Sequence, residues 1–337
     1  MKSASLPLLT RREFITLLGG TAAAWPLPAH AQQAERVRRL GVLMPTGERD
    51  PETQLRVGAL REGLEKLGWV EGRNLRVEYR WGGGSQERTR TYAAELVALK
   101  PDVIFGAPTS AAVALYRETR TIPVVFAQAA DPVGVGLVDS LARPGGNITG
   151  FAVFEYAIAL KWLELLKQIA PHVTRVAILY DPEQPTSPGY IRTIEATAPS
   201  FRVQVLSHPV RDAQAIERSI ETHVAEPNGG LILLPGAFVT GHRDLFISLA
   251  ARHRLPSIFP FRYYVAGGGL ASYGVDNLDL YRRAAGYVDR VLRGEMTANL
   301  PVQFADKFEL VINLKTAKAL GLEVPVSLLA RTDEVVE

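Results

Sequence analysis

The chain has 337 residues, no cysteine and a formal charge of +3, and 47% of its residues are hydrophobic. That length suffices for two compact domains or one large one. The lack of cysteine excludes disulfides, thiolate metal sites and a cysteine nucleophile, so stability has to come from apolar cores. A charge this close to zero, with acidic and basic residues interspersed, gives no electrostatic basis for binding nucleic acid or an anionic membrane surface.

The amino-terminal segment has the parts of an export signal of the twin-arginine (Tat) type. Arg11 and Arg12 precede an uncharged run over 17–29, and an Ala-His-Ala site ends at Ala31. The apolar run is interrupted by glycine and proline and is too short to cross a bilayer of about 30 Å as a helix. An arginine pair can also occur by chance in a basic amino terminus. We nevertheless expect residues 1–31 to be a Tat signal, cleaved after Ala31, and the mature protein to be periplasmic.

Removing that signal would leave 306 residues with a formal charge of +1. No apolar stretch in this remainder approaches the 18 residues that indicate a membrane-spanning helix. No cysteine follows the signal to carry a lipid. The sequence therefore predicts a soluble, exported, globular protein with no membrane anchor and no nucleic-acid partner.

From Arg39 onward, short apolar or β-branched runs alternate with amphipathic patterns. Strands are predicted in the first half at 40–44, 75–79, 103–105 and 123–126. Helices are predicted between them from apolar residues three or four apart, at Val57, Leu60, Leu64 and Leu67 and then at Tyr92, Leu96 and Leu99. Near-continuous apolar strands separated by helices are typical of a parallel sheet that is covered on both faces.

The second half repeats this alternation. Its strands are predicted at 176–180, 203–206, 231–234 and 257–259. Its helices are predicted near 162–169, 191–198, 216–224 and 245–252. Two successive sets indicate an α/β fold with two lobes, each built on a doubly wound parallel sheet.

Three extended passages connect the two predicted sets. The first, at 148–154, follows a turn cluster at 143–147 that is rich in glycine and proline. The second, at 270–273, follows three consecutive glycines, and the third covers 300–303. These passages predict a three-segment hinge, with a ligand cleft between the lobes.

The third passage is preceded by an amphipathic helix, whose apolar side carries Leu280, Ala284, Val288, Val291 and Leu292. A final helix around 316–320 is ended by Gly321. We expect the N-terminal lobe to contain 36–150 and 270–298, and the C-terminal lobe to contain 151–269 and 299–334.

Three stretches resemble signatures of the substrate-binding proteins of ABC transporters, of the tryptophan/tyrosine type. The first covers 131–150 and reads DPVGVGLVDSLARPGGNITG, and the second covers 268–274 and reads GGLASYG. The third combines LPV at 300–302 with FELVINLKTA at 308–317. The resemblance runs from Arg39 to Glu334 with the motifs in order. It implies a type I periplasmic-binding-protein fold and the delivery of a small solute, amino-acid-like or another small carboxylate, to a membrane permease and its ATPase. Some relatives bind aromatic amino acids.

Candidate ligand-binding residues follow the strands, because ligands of open α/β sheets lie beyond the carboxyl ends of strands. In the first half these residues are Pro45, Thr46, Pro108, Thr109, Ser110, Gln128 and Asp131. The helix that begins at Thr109 and Ser110 could hold a carboxylate with its free backbone N–H groups and these two hydroxyls. Alternatively, either hydroxyl could simply cap the helix, and Asp131 could cap a turn.

In the second half the equivalent positions are Tyr180, Asp181, Gly236, Ala237, Phe261, Tyr273 and Asp276. The aromatic residues among them could stack on a ligand, although a buried aromatic side chain can equally belong to the core.

Signatures of catalysis are absent from the sequence. It contains no H-E-x-x-H, G-x-S-x-G or P-loop motif. The glycines at 82–84 superficially suggest a dinucleotide loop, but they follow the second strand and lack the spacing, which favours a solvent turn. No histidine has a ligand-spaced carboxylate partner. We expect no catalytic residue, no cofactor and no metal. Two alternatives stay open: an enzyme on the same layout, and a ligand sensor for a membrane receptor.

Overall fold

A computed structural model describes residues 36–153 and 155–337 of the chain. The predicted export signal and its cleavage site lie outside these residues. The strands follow in chain order as β1 (Arg38–Met44), β2 (Leu75–Trp81), β3 (Val103–Gly106), β4 (Val124–Ala129), β5 (Ile148–Ala152), β6 (Arg175–Tyr180), β7 (Gln204–Pro209), β8 (Gly229–Leu233), β9 (Ser257–Phe259), β10 (Ala271–Val275), β11 (Gln303–Phe304), β12 (Phe308–Asn313) and β13 (Glu334–Val336).

Helices separate most of these strands. They follow as α1 (Pro51–Lys66), α2 (Gln86–Ala98), α3 (Thr109–Glu118), α4 (Ile158–Ile169), α5 (Ser187–Thr197), α6 (Ala213–Val224), α7 (Ala237–Gly241), α8 (Arg243–Arg252), α9 (Arg262–Ala266), α10 (Asn277–Leu292), α11 (Leu314–Ala319) and α12 (Val326–Leu329). Several helices begin before the apolar pattern that predicted them, because residues of a first turn need not face the core. The helix α1, for example, starts at Pro51 and is capped by the Asp50 carboxylate, which accepts from the Thr53 N–H.

The strands form two sheets, one in each lobe. The first sheet has the order β11-β5-β4-β3-β1-β2, and its neighbouring strands are parallel. The second has the order β13-β12-β10-β9-β8-β6-β7, and β12 runs antiparallel to β10. The predicted α/β fold with two parallel-sheet lobes is confirmed. The antiparallel strand was not indicated by the sequence pattern.

Helices cover both faces of the first sheet, which explains why its strands are apolar at consecutive positions. Val42 and Phe105 belong to a core that includes side chains of α1 and α10, whereas their neighbours Leu43 and Ile104 pack with side chains of α2 and α3. The helices α1 and α10 approach closely at Gly63. A Cβ atom added there would lie 2.6 Å from the Cβ atom of Ala285.

The chain crosses between the lobes three times. The crossings lie after β5, between β10 and α10, and between β11 and β12. All three expected boundaries between the lobes are therefore wrong, the first because residues 151–152 end β5 of the first sheet. Residues 271–275 belong to the second sheet, because β10 pairs with β9 and β12. Residues 303–304 belong to the first sheet, because β11 pairs with β5. The helix α10 does pack on the first lobe, against α1 and against β3 to β5.

Within the described residues, no helix has the length and apolar character needed to cross a membrane.

Candidate ligand-binding site

A cavity lies where the carboxyl ends of the two sheets face each other. The empty space within it is about 430 Å³ when open solvent is included, but only about 30 Å³ of it can be occupied by the centre of a water molecule. The first lobe contributes Thr46, Arg56, Pro108, Thr109, Gln128 and Ala130. The second lobe contributes Gln184, Thr186, Tyr190, Pro235, Gly236, Ala237, Thr240 and Phe261. Val153, at the first crossing, completes the wall.

Half of the residues expected at the cleft line this cavity. They are Thr46, Pro108, Thr109, Gln128, Gly236, Ala237 and Phe261. The rule that ligands lie beyond the carboxyl ends of strands accounts for this agreement, since Gln128 lies at the carboxyl end of β4 and the other residues follow β1, β3, β8 and β9. The other expected residues do not line it, namely Pro45, Ser110, Asp131, Tyr180, Asp181, Tyr273 and Asp276.

Several of these residues instead have structural partners or line other recesses. Asp276 caps α10 by accepting from the N–H groups of Leu278 and Asp279. The Asp131 carboxylate accepts from the Gly134 N–H at 2.9 Å, so Asp131 caps a turn, which was the alternative to ligand binding considered for it. Tyr273 lines a separate recess beside the hinge and stacks on Phe308.

Asp181 and Ser110 lie near the cavity without lining it. The Asp181 carboxylate faces a recess next to the cavity and accepts from the Glu183 N–H at 2.9 Å. Burial raises the pKa of Asp181. Ser110 is buried, and its hydroxyl oxygen has no hydrogen-bond partner within the described residues.

The start of α3 does not show the capping that was considered as the alternative for Thr109 and Ser110. The cap position is Pro108, and neither Thr109 nor Ser110 caps the helix. The Thr109 hydroxyl oxygen accepts from the Ala130 N–H at 3.0 Å. This bond ties the helix terminus to the residue after β4, so two loops of the first lobe form one continuous wall.

Sequence reasoning missed eight of the lining residues, and Arg56 is the charged one among them. It lies on α1, is 2% exposed and lines the cavity. Among the described residues, Nε and Nη2 of its guanidinium have no hydrogen-bond partner, and no carboxylate forms an ion pair with it. Its guanidinium lies 5.3 Å from the ring centroid of Tyr263. Burial alone would lower the pKa of Arg56, but Tyr263 and Tyr281 raise it above its ordinary value, so the side chain is charged.

A signal for Arg56 was present in the sequence. The predicted apolar face of this helix carries Val57, Leu60 and Leu64. Arg56 is next to Val57 and four residues before Leu60, which places it on the same face. A buried arginine without a partner carboxylate marks a position where an anion can bind.

Two glutamine side chains complete the polar part of the cavity. Gln128 is 5% exposed and Gln184 is 4% exposed, and both line the wall. In the described part of the chain, the amide oxygen of neither has a hydrogen-bond partner. Gln128 has a φ of 59°, an uncommon backbone conformation for a residue with a side chain. Because neither amide oxygen has a partner, each of the two glutamines can accept a hydrogen bond from a bound molecule.

An ion pair joins the lobes beside the cavity. Arg243 of α8 donates to the Asp50 carboxylate of the first lobe and to the Thr240 carbonyl oxygen at 3.1 Å. Asp50 also accepts from the Thr53 hydroxyl at 3.0 Å, and the Thr53 hydroxyl contacts the Thr46 hydroxyl at 2.5 Å. Since Thr46 and Thr240 line the cavity, this chain of contacts links its two walls.

We predict that Arg243→Ala shifts the ligand-free protein toward an open arrangement of the lobes. The pair is mostly buried and is worth about 1–3 kcal/mol, between the values for exposed and buried pairs. Ligand affinity should therefore fall about tenfold or more. Small-angle scattering should give a larger radius of gyration than for Arg252→Ala, an exposed position on the same helix. An unchanged radius would mean that the ion pair does not hold the lobes together.

The pair of Arg243 and Asp50 should make the arrangement of the lobes depend on pH. Burial alone would raise the pKa of Asp50, but the Arg243 guanidinium and the Thr53 N–H lower it below its ordinary value of 3.8. A lowered pKa means that the pair stabilises the closed arrangement above pH 3.8 and that this stabilisation is lost as the pH falls below it. The scattering difference between the protein and Arg243→Ala should accordingly shrink at pH 3.

No histidine and no carboxylate lines the cavity among the residues that the structure describes. The same residues contain no group of three or more histidine, aspartate or glutamate side chains that could hold a metal ion. The cavity wall therefore offers hydrogen bonds, one cation and aromatic surface, and it presents no acid–base pair. A wall of this composition suits the binding of a small molecule.

Comparison with known proteins shows which families and proteins this chain is similar to. The sequence model of the family described as ABC transporter substrate binding protein matches residues 48–336. A tyrosine-binding protein of Clostridioides difficile is 26% identical over 263 residues, which cover 78% of this chain and 75% of that protein.

Two solved structures are also similar. A conserved domain protein of Vibrio cholerae has a TM-score of 0.82 and 28% identity, with 89% of this chain and 100% of that chain covered. An ABC domain of Streptococcus pneumoniae, solved in complex with L-Trp, has a TM-score of 0.81 and 26% identity, with 89% and 99% covered.

Proposed function

Since the chain belongs to the family of ABC transporter substrate-binding proteins, we propose that it captures a small solute bearing a carboxylate and delivers it to a membrane permease with its ATPase. The observation that carries the proposal is Arg56, a buried cation at the cavity wall without an ion-pair partner among the described residues. A buried charge without a partner is costly. A ligand carboxylate would supply that partner.

The remaining wall supports a solute with an apolar or aromatic body. Tyr190 and Phe261 line the second-lobe side of the cavity, and aromatic faces of this kind stack on flat ligands. The relatives named for tyrosine and solved with L-Trp bind ligands with aromatic rings. We therefore propose an aromatic carboxylate solute, held by Arg56 at its anionic end.

Identification of the solute that co-purifies with the natively folded protein tests this proposal. We expect mass spectrometry to find a small carboxylate that is recovered chemically unchanged after prolonged incubation with the protein. Deletion of the gene should lower uptake of that solute into cells. A solute that is converted during the incubation would indicate an enzyme, and unchanged uptake would indicate a sensor for a membrane receptor.

We also propose that the protein acts in the periplasm after export by the Tat pathway. Arg11→Lys combined with Arg12→Lys should leave the precursor in the cytoplasm, because the pathway recognises the arginine pair. Cell fractionation and immunoblotting measure the location and size of the chain. Lys2→Gln, which alters the charge of the same segment but keeps the pair, is the control and should be exported normally. Normal export of the double variant would contradict the Tat assignment.

A further inference from the structure

The cavity is unbalanced in charge. Arg56 lines it as a cation, and none of the carboxylates in the described part of the chain lines it. A solute carboxylate beside Arg56 would neutralise the cavity. An α-amino acid would add an ammonium group, and that second cation would enter a buried space without a carboxylate to pair with it.

The carboxylates nearest to the cavity have other partners or lie outside its wall. Asp50 pairs with Arg243, Asp131 accepts from the Gly134 N–H, and Asp181 accepts from the Glu183 N–H. Glu52 lies one turn before Arg56 on α1, and burial raises the pKa of its carboxyl. Glu52 does not line the cavity. All four of these carboxylates therefore lie outside the wall of the cavity.

The acceptors that the cavity does offer are neutral. The amide oxygens of Gln128 and Gln184 are buried, line the wall and have no partner within the described residues. Each can accept a hydrogen bond from a hydroxyl group, which brings no charge into the cavity. A neutral donor next to the carboxylate therefore satisfies Arg56 and a glutamine together.

We infer that the preferred solute is an aromatic 2-hydroxy carboxylate and not the corresponding amino acid. This inference rests on the proposed function and deepens it, since it specifies the group that neighbours the carboxylate. In this binding mode the carboxylate pairs with Arg56, the hydroxyl donates to a glutamine amide oxygen, and the ring lies between Tyr190 and Phe261.

Matched pairs of probes test the inference on the full mature protein after removal of any bound ligand. The probes are 3-phenyllactate with L-phenylalanine, indole-3-lactate with L-tryptophan, and 4-hydroxyphenyllactate with L-tyrosine. Titration calorimetry should show each hydroxy acid binding at least tenfold more tightly than its amino acid. Affinity for the amino acid should rise with pH as its ammonium loses a proton, whereas affinity for the hydroxy acid should not.

A single substitution should reverse this preference. Gln184→Glu keeps the shape of the side chain but places a carboxylate in the wall, so it should strengthen amino-acid binding and weaken hydroxy-acid binding. Gln204→Glu adds the same charge at an exposed position of the same lobe and should change neither. A Gln184→Glu protein that keeps the original ratio of affinities would overturn the inference.

The remaining outcomes distinguish a failure of the inference from a failure of the proposed function. Amino acids that bind as tightly as the hydroxy acids, or more tightly, would overturn the inference while leaving Arg56 as the carboxylate anchor. Failure of every probe to bind would overturn it as well. The proposed function is then judged separately, by whether Arg56→Met loses the solute that co-purifies with the unaltered protein.

Discussion

Arg56→Met is expected to weaken binding of the solute by about 10²–10⁴-fold. Arg56 lines the cavity, and its Nε and Nη2 have no hydrogen-bond partner among the described residues; each hydrogen bond to a charged group is worth about 1.5–3 kcal/mol. Loss of two such bonds corresponds to about 3–6 kcal/mol, which converts to this change in the dissociation constant. Methionine fills similar space without the charge, so the measurement isolates the electrostatic contribution. Calorimetric titration with the co-purified solute gives the affinity.

The stability of the ligand-free protein should respond in the opposite direction. A buried cation without a paired carboxylate costs free energy, and replacing such a charge with an apolar side chain is often neutral or stabilising. The melting temperature of ligand-free Arg56→Met should therefore be unchanged or higher, while the increase on adding solute disappears. Arg61→Met on the same helix, where the side chain is 51% exposed, is the matched control and should bind normally. A less than threefold loss of affinity in Arg56→Met would place the carboxylate elsewhere.

Trp162→Ala is expected to lower the free energy of unfolding by about 3–5 kcal/mol, the usual cost of truncating a large buried aromatic side chain. Trp162 lies on α4 and is fully buried. Its indole N–H donates to the Tyr273 carbonyl oxygen at 2.7 Å, which ties α4 to β10 just before the second crossing. Its ring also lies 5.5 Å from that of Tyr190, a residue of the cavity wall.

Urea denaturation monitored by circular dichroism measures this loss. Trp162→Phe keeps most of the apolar volume but lacks the N–H donor, so its loss should be smaller than that of the alanine variant. Leu160→Ala on the same helix, where the side chain is 39% exposed, should lower stability by less than 1 kcal/mol. Equal losses in Trp162→Ala and Leu160→Ala would show that burial of this side chain does not stabilise the lobe. Ligand affinity should also fall in Trp162→Ala, because Tyr190 loses its support.

The local pattern of the sequence determined the two-lobed α/β fold. Apolar runs such as 40–44 and 103–105 can be buried on both faces only in a sheet covered by helices, and the spacing of Val57, Leu60 and Leu64 requires a helix. The rule for carboxyl ends of parallel strands also located half of the cavity, from Thr46 after the first strand to Phe261 after β9. These inferences need only residues that are neighbours along the chain.

Only the tertiary structure decided which strands and side chains meet. Backbone hydrogen bonds between distant segments place β10 in the second sheet and β11 in the first, and no local periodicity encodes that choice. Arg56 and Gln184 come from helix α1 and the loop after β6, and they face one cavity because the lobes close on each other. The net charge of that cavity depends on residues that are far apart in the sequence. The sequence by itself therefore determined the fold and the strand ends, while packing between the lobes decided which charged group is left for a ligand.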